Sequence, residues 1–158
     1  MQHQRNILDA IRRILRALRE SSRAAENELG LSGAQLLVLQ ILKNSNALSV
    51  NELAEKTQTH QSSVSVVVSR LAEAGLVERQ TSPEDARRAN ILLTSQGTKV
   101  VNKKSAQLAQ EKLFAAIAGL PDSKQKQLSE LLTQVVEAAG FADQPASLFF
   151  EDDKETSK

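Results

Sequence analysis

The amino-acid sequence predicts a mainly α chain with one small β-hairpin, an α+β arrangement in which a compact helical lobe is flanked by longer helices. Three observations predict it. Apolar residues recur at helical spacing through most of the chain. Two complete helix-start signatures lie close together in its first third. Two short apolar runs then bracket a segment of turn formers and arginines.

Residues 5–28 place Ile7, Ile11, Ile14 and Leu18 on one helix face, and Arg12, Arg16, Arg19 and Arg23 on a second stripe. A long helix with one apolar and one basic face follows, closed by Gly30. Ser32 is followed three residues later by Gln35, and Ser49 by Glu52. In each pair the hydroxyl can accept the backbone N–H three residues on, while the longer side chain reaches back to the cap. Leu31 with Leu36, and Leu48 with Leu53, are placed as hydrophobic staples. Helices therefore begin near Gly33 and Val50. The first offers Leu37, Val38, Ile41 and Leu42 as its buried face, and residues 44–47 read as the connecting turn. The second ends at Lys56 or Thr57.

After a polar turn, another helix starts at His60 or Gln61 and runs to Ala74, where Gly75 closes it. Val64, Val67, Val68 and Leu71 form an i, i+3, i+4, i+7 buried face, and Ser62, Ser63, Ser65, Val66 and Ser69 point elsewhere. Two short helices joined by a tight turn, the second presenting small polar side chains, describe a helix-turn-helix. Leu76-Val77-Glu78-Arg79 and Asn90-Ile91-Leu92-Leu93 read as two strands. Residues 82–88 between them form a charged hairpin tip, the wing of a winged helix.

Thr94 can cap the next helix, which is expected to run unbroken through Leu108, Leu113 and Ile117 to Ala118. After Gly119-Leu120-Pro121 a last helix carries Leu128, Leu131, Leu132, Val135 and Val136 on one stripe, with Pro121 in its first turn. These stripes exceed what a small winged lobe can cover. Residues 1–31 and 95–140 are therefore expected to be dimerisation helices, and residues 32–94 a winged helix-turn-helix DNA-binding domain. Residues 141–158 form an acidic tail, with Phe149-Phe150 among polar residues, and are expected to be mobile.

Composition excludes several function classes. Hydrophobic residues make up 41% and aromatic ones 3%, so the core is built from Leu, Val, Ile and Ala. The absence of Cys removes disulfides, thiolate metal sites and thiol redox switching together. His3 and His60 are too far apart in sequence to suggest a metal pair, and no cofactor is expected. There is no Ser/His/Asp set with supporting motifs, no Gly-rich phosphate loop and no paired metal ligands, so an enzyme is not expected. No run approaches the ~20 apolar residues of a membrane span, and residues 1–5 lead into charged helix, so a cytoplasmic location is expected. The net charge is +1, but the tail from Phe141 holds two basic and five acidic residues, which leaves +4 on residues 1–140. That mild basic excess is compatible with a nucleic-acid partner without demanding one.

The stretch Leu71-Ala72-Glu73-Ala74-Gly75-Leu76-Val77-Glu78-Arg79, then Asp85-Ala86-Arg87, then Leu93-Thr94 and Gly97, resembles the MarR family of bacterial regulators. The order of elements agrees across residues 5–140. The resemblance implies a homodimeric, sequence-specific DNA-binding transcription regulator, commonly a repressor, on a pseudo-palindromic operator. It further implies a recognition helix in the major groove and Arg87 in the minor groove. Release would follow when a small phenolic or aromatic ligand enters a cleft between the dimerisation helices and the winged lobe. Three positions depart from the family pattern. Gln58 stands in the turn where Gly is usual, Val66 stands where Arg or another polar residue is common, and residues 61–69 contain no Lys or Arg.

The DNA-contact candidates follow from side-chain chemistry. Gln61 can pair bidentately with adenine, Ser62, Ser63 and Ser65 can bond to several bases, and Val66 can touch a thymine methyl. Ser69 and Arg70 complete that helix face, and His60 is placed to cap the helix or to meet a phosphate. At the wing, Arg87 and Arg88 suit the negative potential of a narrow minor groove, and Asp85 is placed to orient Arg87 or another arginine. The arginine stripe of the first helix reads as a solvated face. The competing reading is a winged-helix protein-interaction module that does not bind DNA. A metal-sensing regulator is disfavoured by the shortage of ligands.

Overall fold

The computed structural model describes residues 1–144 apart from Ala86. The chain divides into two compact units, one over residues 1–108 and the other beginning at Ala109. Residues 145–158, Phe149 and Phe150 among them, and Ala86 of the wing motif lie outside the described residues.

The first unit opens with a continuous helix, α1 (Gln2–Leu29), which starts three residues earlier than the apolar stripe alone marks. Gly30 ends it in the left-handed conformation at φ 66°, and its N–H bonds the Glu26 carbonyl. Both capping boxes form as the spacing predicts. In α2 (Gly33–Ser45), the Gln35 N–H donates to Ser32 Oγ at 3.2 Å and the Ser32 N–H donates to Gln35 Oε1 at 2.9 Å. In α3 (Val50–Thr57), the Glu52 N–H donates to Ser49 Oγ at 3.2 Å and the Ser49 N–H donates to Glu52 Oε2 at 2.7 Å. All four staple leucines are buried.

The buried face of α2 differs from the predicted one. Ala34, Leu36, Val38, Leu39, Gln40 and Leu42 are buried, while Leu37 and Ile41 are half-buried. Periodicity finds one stripe, but α2 packs against helices and strands on several sides and so buries a wider arc. The predicted turn between α2 and α3 also hides a strand. Asn46 turns the chain at φ 62°, and β1 (Ala47–Ser49) then pairs antiparallel with β3 (Ala89–Leu93), Leu48 opposite Ile91. On the other side of β3 lies β2 (Val77–Thr81), with Val77 opposite Leu93 and Thr81 opposite Ala89. The wing hairpin is thus part of a three-stranded sheet in the order β1-β3-β2.

The recognition-helix candidate, α4 (Gln61–Glu73), buries Val64, Val67, Val68 and Leu71 as predicted, and Gly75 closes it at φ 72°. Thr94 then joins two elements. Its hydroxyl accepts from the Gly97 N–H at 3.0 Å, which caps α5 (Ser95–Val101), and donates to the Gly75 carbonyl at 2.6 Å.

The expected unbroken helix from Thr94 to Ala118 is not found. The helix stops at Val101, a 3₁₀ turn covers Lys104–Ala106, and α6 (Ala109–Ala118) starts afresh. No Pro or Gly lies in residues 102–108 to announce the break. A distant side chain holds the broken segment: buried Gln40 donates Nε2 to the Ala106 carbonyl at 2.9 Å, and Ala106 and Leu108 are buried. Burying both residues in the core compensates for the helical bonds given up.

The second unit is a helical hairpin of α6 and α7 (Asp122–Ala138). Gln125 Nε2 donates to the Leu120 carbonyl at 2.7 Å across the connection. Pro121 is the residue before the helix rather than within its first turn. At ψ 143° it is still extended, and its carbonyl accepts the Lys124 and Gln125 N–H groups. Neither helix buries a residue, and Phe114, Leu131, Leu132, Val135 and Val136 are exposed. Among the described residues no helix is long and apolar enough to cross a membrane.

Candidate nucleic-acid interface

The corner between α3 and α4 is made by Gln58 in the left-handed conformation, φ 52° and ψ 42°. A glutamine therefore performs the turn that glycine makes without steric cost. The bend is held by the Gln58 N–H to the Glu55 carbonyl and the Thr59 N–H to the Ala54 carbonyl, at 3.2 and 3.1 Å. Thr57 is buried beneath it, its hydroxyl donating to the Leu53 carbonyl at 2.8 Å. His60 occupies the cap position of α4, but its side chain makes no capping bond, so that half of its expected role is corrected. An imidazole is a poor substitute for the short oxygen acceptor that caps require.

With the valine face fixed in the core, the opposite arc of α4 is set. Gln61 and Ser62 are exposed, Ser63, Ser65 and Ser69 are half-buried, and Arg70 is exposed in the last turn. Val66 is 45% exposed, so this apolar side chain faces outward as its position around the helix predicts.

The wing tip is built around Asp85. Its Oδ1 accepts the Arg87 backbone N–H at 2.9 Å and its carbonyl accepts the Arg88 N–H at 2.9 Å. The Arg88 carbonyl in turn accepts the Ser82 N–H at 2.8 Å, closing the loop. Asp85 thus orients the backbone that carries Arg87, and both Arg87 and Arg88 present exposed side chains. The Ser49 backbone N–H, and then its side chain, hold the Glu52 carboxyl below the usual glutamate range. Arg88 and Lys56 add weaker attraction, which brings the field of Arg88 to the start of α3.

One interaction is not visible in local sequence patterns. Arg79 of β2 donates Nη2 to Ser69 Oγ of α4 at 3.1 Å, tying the wing to the recognition-helix candidate. The signal that could have found it is strand alternation, since Arg79 shares a sheet face with buried Val77. Among the described residues no group of His, Cys, Asp or Glu is placed to hold a metal ion.

Residues 29–88, which carry the helix-turn-helix and most of the wing, match the sequence model of the MarR family. The chain is also 31% identical over 120 residues to a putative transcriptional regulatory protein for the hcr operon of Thauera aromatica, a match spanning 75% of this chain and 71% of that one. The chain belongs to the MarR family. As a MarR-family transcription regulator it also resembles the HTH-type transcriptional repressor MdtR of Bacillus subtilis (strain 168), 35% identical over 68 residues, 43% of this chain and 44% of that one. An S. aureus MepR mutant bound to an oligodeoxyribonucleotide shares the fold, with a TM-score of 0.56 at 22% identity over 84% of this chain and 97% of that one. The winged helix-turn-helix read from the sequence is therefore a MarR-type winged helix.

Proposed function

We propose that this MarR-family regulator is a sequence-specific repressor that binds a pseudo-palindromic operator as a homodimer. One observation carries the reading. A capped helix-turn-helix turns the Gln61, Ser62, Ser65, Val66 edge of α4 outward beside a wing whose tip presents Arg87 and Arg88. An outward polar helix edge can read base edges, while arginines on a hairpin suit the minor groove. Ser63, Ser69, Arg70 and His60 flank that edge as further contacts. Support for DNA as partner comes from the oligodeoxyribonucleotide-bound relative, and support for repression from the repressor relative.

Dimerisation rests on apolar residues that the chain leaves uncovered. Ile7, Leu8, Ile14 and Leu15 of α1 are exposed, as are Leu131, Leu132, Val135 and Val136 of α7. A helical hairpin with no buried residue is not stable in water by itself, and apolar stripes of this kind mark association surfaces. The effector, on the family resemblance, is a small phenolic or aromatic acid.

Salt titration of DNA binding tests the reading. Phosphate neutralisation makes log affinity fall linearly with log salt, by about 0.9 per phosphate contacted. A protein-interaction module would bind no duplex with that dependence.

A further inference from the structure

We infer that Arg79 is a phosphate-contacting residue of the interface, held against the recognition helix by Ser69; the inference rests on the DNA-binding reading above.

Arg79 lies on β2, an edge strand of the sheet, directly opposite Ile91 of β3. Cross-strand partners share a face, and Ile91 is fully buried, so the Arg79 stem leaves the sheet on its core side. The guanidinium nevertheless ends at the surface, because it reaches Ser69 Oγ at 3.1 Å in an exposed setting. At 100° per residue, Ser69 lies about 150° around α4 from the middle of its buried face. Anything that docks on the outward arc of α4 therefore docks beside this guanidinium.

Charge gives the contact its purpose. Residues 61–69 carry no Lys or Arg, so α4 itself brings only Arg70, in its last turn, to meet a phosphate. Arg79 brings a further cation from the neighbouring strand. Among the described residues no carboxylate pairs with it, and none of them neutralises its charge. A guanidinium has five N–H donors, and Ser69 takes one of them. The remaining fork matches the geometry of a phosphate, and a serine acceptor fixes its orientation without cancelling its charge.

The test uses the full-length protein, a fluorescent duplex recovered by selection from a random pool, and a scrambled duplex of the same composition. Arg79→Gln keeps a donor for Ser69 but removes the charge. It should weaken both duplexes equally and lower the salt slope by about 0.9, so that the wild-type advantage shrinks about 3.5-fold between 50 and 200 mM salt. Arg79→Lys should restore the slope. Ser69→Ala should keep the slope and lower affinity, since it frees the guanidinium without removing it. An unchanged slope in Arg79→Gln, or a loss confined to the selected duplex, overturns the inference while leaving DNA binding in place. A wild-type protein that binds neither duplex overturns the DNA reading and this inference with it. Thermal unfolding at matched protein concentration checks that each variant folds.

Discussion

Gly97→Ala should be among the most damaging single-methyl additions in this chain. Gly97 is buried in the first turn of α5, and a Cβ there would collide with the Leu76 carbonyl oxygen and stand 2.9 Å from the carbonyl carbon. The obstacle is backbone, so no side-chain rotation relieves it. The same oxygen accepts the Thr94 N–H at 3.1 Å, and the Thr94 hydroxyl holds the Gly75 carbonyl at 2.6 Å. Forcing α5 off the start of β2 therefore strains both bonds. Overpacking costs about 1–3 kcal/mol. Loss of the two hydrogen bonds adds about 0.5–1.5 kcal/mol each. A total of about 2–6 kcal/mol corresponds to a drop in Tm of about 4–24 °C for a chain of this size. Thermal melts at one fixed protein concentration read it, because the proposed dimerisation would make Tm concentration-dependent. Gly119→Ala is the control, since a Cβ there meets the Ala115 and Ala116 carbonyl oxygens at an ordinary 3.5 Å. Equal melting of Gly97→Ala and wild type would refute the packing argument.

Other perturbations reach the remaining parts of the account. The Glu52 carboxyl titrates lower in the folded chain than in the unfolded one, so its contribution is full above the unfolded value of about 4.3 and is lost as pH falls through the folded value. Glu52→Gln, which keeps an acceptor as Gln35 does in α2, should lose less Tm than wild type between pH 6 and pH 3, within the range set by those values; an identical loss would remove Glu52 from the acid response. Val66→Arg should leave stability nearly unchanged because Val66 is half exposed, raise general DNA affinity and shift preference at its base pair from thymine toward guanine. Unfolding of that variant would show that Val66 is needed in the core. Replacing Leu131 and Val135 with Asp should dissociate the proposed dimer in sedimentation, since unpaired charges buried at an interface cost several kcal/mol. A wild-type chain that sediments as a folded monomer would contradict the premise.

Much of the fold is legible because its signals are local. Ser32 with Gln35, and Ser49 with Glu52, need only three residues of spacing to mark helix starts, and both boxes form. The valine face of α4 is legible for the same reason, and it fixes which side chains face outward. What is not legible depends on distant partners. β1 is three residues long, too short to show alternation, and becomes a strand only by pairing with β3. The segment after the break at Val101 is held by Gln40, 66 residues from the carbonyl it binds. The Arg79–Ser69 bond needs both the strand register and the rotation of α4, each obvious only when the other is known. At the wing, the spacing of Asp85 and Arg87 suggests that the carboxylate orients the arginine, but not that it does so by accepting the Arg87 backbone N–H, as side-chain oxygens commonly do in turns.

Selection of bound duplexes from a random pool tests the central claim most directly. A homodimer that places α4 of each subunit in successive major grooves should enrich an inverted repeat, its half-sites one helical turn, about 10–10.5 bp, apart and rich in A·T pairs. Enrichment of a single unrepeated site, or none over the starting pool at low salt, would contradict a dimeric, sequence-reading regulator.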